Sequence, residues 1–212
     1  MKIVEQSHQI IDCIDADHFA YECKLIEQAG RTCYKSEDKI NVDAGTWKPF
    51  VKMLIERGHE AMIEFGHMTV RFVCDRGVSH EIVRHRLCSF AQESTRYCNY
   101  GKDKFGGEVT FIAPRIVHND GIDEWRYAYE AAEQAYLKAI KAGHSPQEAR
   151  AVLPNAVKTE IVVKANFREW RHIFSLRAVS KAAHPHMREL MLPLYKQCRE
   201  ICPQIFDLGE PE

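Results

Sequence analysis

With 212 residues, 45% of them hydrophobic and 28% charged, the chain can bury a sizeable core and has the composition of an ordinary soluble globular protein. A formal net charge of -1 gives no bulk pull toward duplex nucleic acid, so any anion site must be local. No segment approaches the roughly 20 apolar residues of a membrane span, and the first residues lack the apolar run of a signal peptide. Cysteines at 13, 23, 33, 74, 88, 98, 198 and 202 are scattered, which fits reduced thiols and a cytoplasmic location.

In chain order, MKIVEQ alternates like a short edge strand, and a helix is expected from about Asp17 to Lys35. A second helix, about Gly45 to Arg57, carries Trp47, Phe50, Val51, Leu54 and Ile55 at helical spacing and closes at Gly58. HMTVRFVC, from His67 to Cys74, alternates as a strand, and RGVSHEIVRHRL then switches to helical periodicity. A strand at Glu108 to Pro114 leads to an amphipathic helix from about Asp123 to Ala142. Ser145-Pro146-Gln147-Glu148 reads as an N-cap with Pro in the first turn, opening a short helix that contains Arg150. A strand at Lys158 to Lys164 and helices at about Phe167 to Ser180 and His186 to Ile201 complete the chain. Irregular alternation without repeats or linkers predicts an α+β fold, a mixed sheet with flanking helices, in a single domain, 1–212.

Neither GxGxxG after a strand, GxxxxGK[ST], nor the zinc-deaminase signature occurs. His59, His67, His172, His184 and His186 lack metal-ligand spacing, so no metal is expected. Arg84, His85 and Arg86 fall at the end of the third helix. Residues there are about 100° apart, so Arg84 and Arg86 suit different ligand groups, while Glu81 shares the face of Arg84 and could orient it. The same cluster equally suits a solvated basic helix end. Just beyond, QESTRYCNY adds Gln92, Ser94, Arg96, Tyr97 and Tyr100, a mixture suited to phosphate and to stacking on a heterocycle; a turn cap is the other reading of Ser94. On a regular helix Trp170, Ile173, Phe174 and Arg177 share one stripe, so Arg177 needs an anion, supplied by a ligand or a protein carboxylate, unless it snorkels out. Arg150 carries the same ambiguity.

RHR, seven residues, then Ser94 resembles the hallmark of flavin-dependent thymidylate synthases. GHEAMIEF, RGVSHEIVRHR, QEARAVLP and NFREWRHIFSLR resemble further blocks of that family, in order, over about His59 to Ile205. The resemblance implies a homotetramer with an α/β core and active sites built from several subunits. It implies FAD as cofactor, dUMP and 5,10-methylenetetrahydrofolate as substrates, and NADPH as reductant, with no nucleic acid or membrane partner. By motif position, FAD would be contacted by His59, Arg84, His85, Arg86, Gln92, Asn166, Arg168 and His172. The dUMP contacts would be Glu81, Arg84, Gln92, Ser94, Arg96, Arg150 and Arg177. Some family members have an acid at the position of Gln92 and Asn at that of His172. The implied reaction is reductive methylation of dUMP to dTMP, with Arg177 stabilising negative charge on the uracil ring and Ser94 holding phosphate. A non-catalytic nucleotide or single-strand nucleic-acid binding module could use the same arginines and aromatics. Another flavin-dependent nucleotide methyltransferase is a second alternative.

Overall fold

The computed structural model describes residues 1–115 and 122–211. In chain order the elements are β1 (Lys2–Val4), β2 (Ser7–Ile10), α1 (Ala16–Tyr34), α2 (Trp47–Glu56), β3 (His67–Asp75), α3 (Arg76–Ile82), β4 (Ser89–Gln92), β5 (Thr110–Ile112), α4 (Ile122–Lys141), α5 (Pro146–Ala149), β6 (Lys158–Asn166), α6 (Phe167–Phe174), α7 (Pro185–Ile201) and α8 (Pro203–Phe206). The fold is α+β with mixed pairing. β1 runs parallel to β5, Phe111 bridges Val157 antiparallel, and a four-stranded sheet has the order β2-β3-β6-β4. Strict alternation in β3 buries Met68, Val70, Phe72 and Cys74 on one face, as period-two patterning requires.

The chain packs as two compact units: Met1–Ser7, Phe72–Arg84 and Ala91–Ile161 form the first, and His8–Arg71, His85–Phe90 and Val162–Glu212 the second. In the first unit Tyr100, Val109, Phe111, Tyr129, Tyr136, Ala149 and Val157 make the core, with the Phe111 and Tyr129 rings stacked at 4.6 Å. Ser145 caps α5 with Pro146 in its first turn, as its sequence predicts, and Glu148 completes a capping box; α5 ends at Ala149, with Arg150 in the tighter turn that follows rather than inside it. In the second unit α1 packs on α2, and Phe19, Phe167, Phe174 and Phe206 form an aromatic cluster. Asp15 caps α1 by accepting from the Asp17 and His18 amides. A Cβ on Gly66 would meet the Phe167 ring at 2.6 Å, so only glycine lets this loop approach the start of α6. The Trp170 indole N–H donates to the Met68 carbonyl at 2.9 Å and pins α6 to β3.

Two helical expectations are corrected. The helix expected through Arg84, His85 and Arg86 ends at Ile82, and the Arg84 amide closes a tighter turn onto the Glu81 carbonyl at 3.2 Å. His85 is consequently buried while Arg84 and Arg86 on either side are exposed. The helix expected to Ser180 ends as an α-helix at Phe174 and continues as a π turn, Ser175–Val179, in which the Ser180 amide reaches back to the Ser175 carbonyl. This wider turn places Ala178, fully buried, on the apolar side; Arg177 is half-buried beside it rather than on the stripe. Strands β2 and β4 were not anticipated; SHQI and SFAQ are too short to display a period.

Candidate functional site

The expected residues divide between the units: Glu81, Arg84, Gln92, Ser94, Arg96 and Arg150 lie in the first, and His59, His85, Arg86, Asn166, Arg168, His172 and Arg177 in the second.

In the first unit the chain turns at Ser94 just after β4. The amides of Tyr97 and Cys98 both donate to the Ser94 carbonyl, and the Ser94 hydroxyl accepts from the Arg96 amide at 3.3 Å. Ser94 therefore does cap a turn, and the turn carries Arg96 outward over the Tyr97 ring at 5.5 Å. Arg150 joins it from 55 residues away, its Nη1 donating to the Thr95 hydroxyl at 3.1 Å. A serine and two arginines thus belong to one turn, Arg96 within it and Arg150 through Thr95, a composition suited to a phosphate. Thr95, buried and unmarked by any motif, is what ties Arg150 in. Beneath the turn, Glu93 accepts from the Tyr100 hydroxyl at 2.8 Å and pairs with Lys158 at 2.9 Å. Gln92 faces inward, its amide N–H groups donating to Ser79 at 2.9 Å and Thr159 at 3.3 Å.

In the second unit Asn166, Arg168 and His172 line one cavity of about 710 Å³ together with Glu60, Glu64 and Ser175. Asn166 caps α6 by accepting from the Glu169 amide at 2.8 Å, which projects Arg168 and His172 from the first two turns. Arg168 is clasped by Glu64 at 2.7 Å and Glu60 at 3.4 Å. His59 is exposed, with its Nδ1 3.0 Å from the Tyr34 hydroxyl, and Arg86 is exposed in the turn before β4.

Glu169 also lines the cavity; the Nε of Arg177 donates to Nε2 of His85 at 3.2 Å, and Nδ1 of His85 lies 3.4 Å from a carboxylate oxygen of Glu169. The His85 and His172 rings meet edge to face at 5.9 Å. Burial first, then the charges of Arg177 and His172, push His85 down from 6.5 to about 4, so its imidazole is neutral at neutral pH. Burial raises the Glu169 carboxyl, partly offset by His172. No motif marks Glu169, which stands three residues after the Asn166 cap, where a glutamate normally turns back to the helix start. Among the described residues, no three His, Cys, Asp or Glu side chains gather so as to hold a metal ion, and no helix is long and apolar enough to cross a membrane.

A half-buried arginine held by a neutral imidazole, near a cavity of small-molecule size, defines an α+β protein with the makings of an enzyme. The same fold occurs in the crystal structure of a UMP/dUMP methylase, PolB, from Streptomyces cacaoi bound with 5-Br dUMP. The TM-score is 0.76 over 98% of this chain and 96% of that one, at 19% identity. Residues 16–204 match the family described as thymidylate synthase complementing protein. A flavin-dependent thymidylate synthase of Corynebacterium aurimucosum is 33% identical over 201 residues, 86% of this chain and 78% of that protein. One of Mycolicibacterium gilvum is 34% identical over 202 residues, covering 86% and 77%. The chain belongs to the flavin-dependent thymidylate synthase family, and is accordingly an enzyme of the methyltransferase class. Membership sets aside the non-catalytic binding module that the sequence alone allowed.

Proposed function

We propose that the protein converts dUMP and 5,10-methylenetetrahydrofolate to dTMP and tetrahydrofolate, two electrons coming from NADPH by way of FAD. Bound reduced flavin supplies the hydride that completes the methyl group. The residues fit such a group: the cavity of about 710 Å³ is of cofactor size and offers Asn166, Arg168, His172 and Ser175 as polar partners. His59, Arg84, His85, Arg86 and Gln92 complete the proposed flavin set. The nucleotide phosphate is assigned to Ser94, Arg96 and Arg150, with Glu81, Arg84 and Gln92 as further dUMP contacts. Among the described residues no histidine hydrogen-bonds to the Ser94 hydroxyl, so it is assigned to binding rather than attack; a covalent adduct trapped on Ser94 during turnover would overturn that role.

One observation carries the mechanistic part, the hydrogen bond from Arg177 to a buried, neutral His85. It fixes a guanidinium that can stabilise negative charge at N3 and O4 of the uracil ring and so raise the nucleophilicity of carbon 5. Arginine remains protonated and contributes charge, not proton transfer. Arg177→Ala is expected to keep FAD and dUMP binding while losing about 10²- to 10³-fold in kcat, the usual cost of one preorganised charge donor. Full turnover by that variant refutes the assignment. Replacing dUMP by other pyrimidine nucleotides separates this reading from a different nucleotide methylase, since dUMP should be methylated fastest. The same reading takes 1–212 as one functional domain, since the family match runs through both compact units. It also takes the enzyme as a cytoplasmic homotetramer without nucleic-acid or membrane partners.

A further inference from the structure

We propose that Glu169 is a positioning residue: it holds the proton of His85 on Nδ1, leaving Nε2 as a bare acceptor that fixes the guanidinium of Arg177. The Nε of arginine only donates, so the atom it meets 3.2 Å away, Nε2 of His85, must present a lone pair. An imidazolium, or the tautomer protonated at Nε2, would set N–H against N–H. A neutral imidazole with Nε2 bare carries its proton on Nδ1, and the carboxylate oxygen 3.4 Å from Nδ1 is that of Glu169. Both side chains are removed from water, at 6% and 8% exposure, so water cannot readily take over as the proton's partner.

Glu169 thereby helps to orient Arg177 from two contacts away, through His85. A buried carboxylate fixing a histidine tautomer is a recurrent arrangement, and the wrong tautomer is costly to catalysis. For its functional consequence the inference rests on the proposed role of Arg177; the tautomer itself does not.

The test is ¹⁵N NMR of imidazole-labelled, flavin-loaded protein, with the His85 signals identified by their loss in His85→Gln. Wild type is expected to show Nδ1 protonated and Nε2 bare at neutral pH. In Glu169→Ala the proton should move wholly or partly to Nε2, with kcat lowered at least about tenfold and the Kd for dUMP changed by less than about threefold, as expected when an interaction acts in the transition state. Glu169→Gln, whose amide oxygen can still accept from Nδ1, should restore the wild-type tautomer and recover part of kcat; a purely structural role would not give that split. Nε2 protonated in wild type overturns the proposal even if Glu169→Ala does not fold. So does a folded Glu169→Ala with unaltered tautomer and kcat. Full turnover by Arg177→Ala would instead remove the role of Arg177 and leave the tautomer standing.

Discussion

Replacing Gln92 by leucine keeps the volume roughly constant and deletes both donated hydrogen bonds, to Ser79 at 2.9 Å and to Thr159 at 3.3 Å. Both acceptors are fully buried, and Ser79 already spends its own proton on the Arg76 carbonyl at 2.9 Å, so it meets Gln92 as an acceptor. Losing a donor in such a place costs about 1 to 3 kcal/mol. For a chain of this length each kcal/mol moves the melting temperature by about 2 to 4 °C, so the expected drop is roughly 5 °C. Thermal unfolding followed by circular dichroism measures it. Gln92→Glu provides the complementary reading. Its carboxylate would face a Ser79 lone pair, which disfavours the ionised form in the folded state and raises its pKa there. The folded state then binds the proton more tightly than the unfolded one, so the penalty is greatest above the ordinary carboxylate range and shrinks as pH falls through it. A leucine variant melting within about 1 °C of wild type, well below the expected shift, would refute the reasoning. So would a glutamate variant that is as stable as wild type at every pH.

Gly66→Ala forces a methyl group to within 2.6 Å of the Phe167 ring and should cost about 1 to 3 kcal/mol by overpacking, read by urea denaturation. His85, whose pKa falls from 6.5 to about 4 under burial and the charges of Arg177 and His172, with Glu169 facing its other nitrogen, makes the fold acid-sensitive. Its contribution to stability is complete above pH 6.5 and is lost as pH falls through about 4, because the unfolded chain binds the proton first. Denaturant midpoints of wild type and His85→Gln across that window should converge toward acid. Glu64→Gln removes the shorter half of the Arg168 clasp, and flavin affinity by fluorescence titration should rise about two- to fivefold, the scale of one exposed ion pair.

Regular patterning made much of the fold legible in the sequence. The alternation of β3, the apolar stripe of α2 and the Ser145 cap followed by Pro146 all match their predicted elements, because each depends on neighbours a few residues away. Local signals were silent about where α3 stops, since Val83 is compatible with either a helix or its end and the turn is fixed by backbone bonds. The same limit applies to the site. Arg84, His85, Arg86, Ser94 and Arg177 stand out by motif, yet the contact between His85 and Arg177 spans 92 residues. Nothing in a helical period announces that Glu169 turns inward to meet it.

The π turn at Ser175–Val179 gives chain length a role usually reserved for side-chain identity. It holds one residue more than an α-helical turn would, so it works as a phase shifter between the start of α6 and Arg177. If the same residues wound instead as a regular helix, those after the turn would swing about 100° around the axis. The arginine, the histidine and the glutamate would all still be present, but out of step. Aim at this site is therefore sensitive to how the turn is wound, in a way that composition cannot reveal.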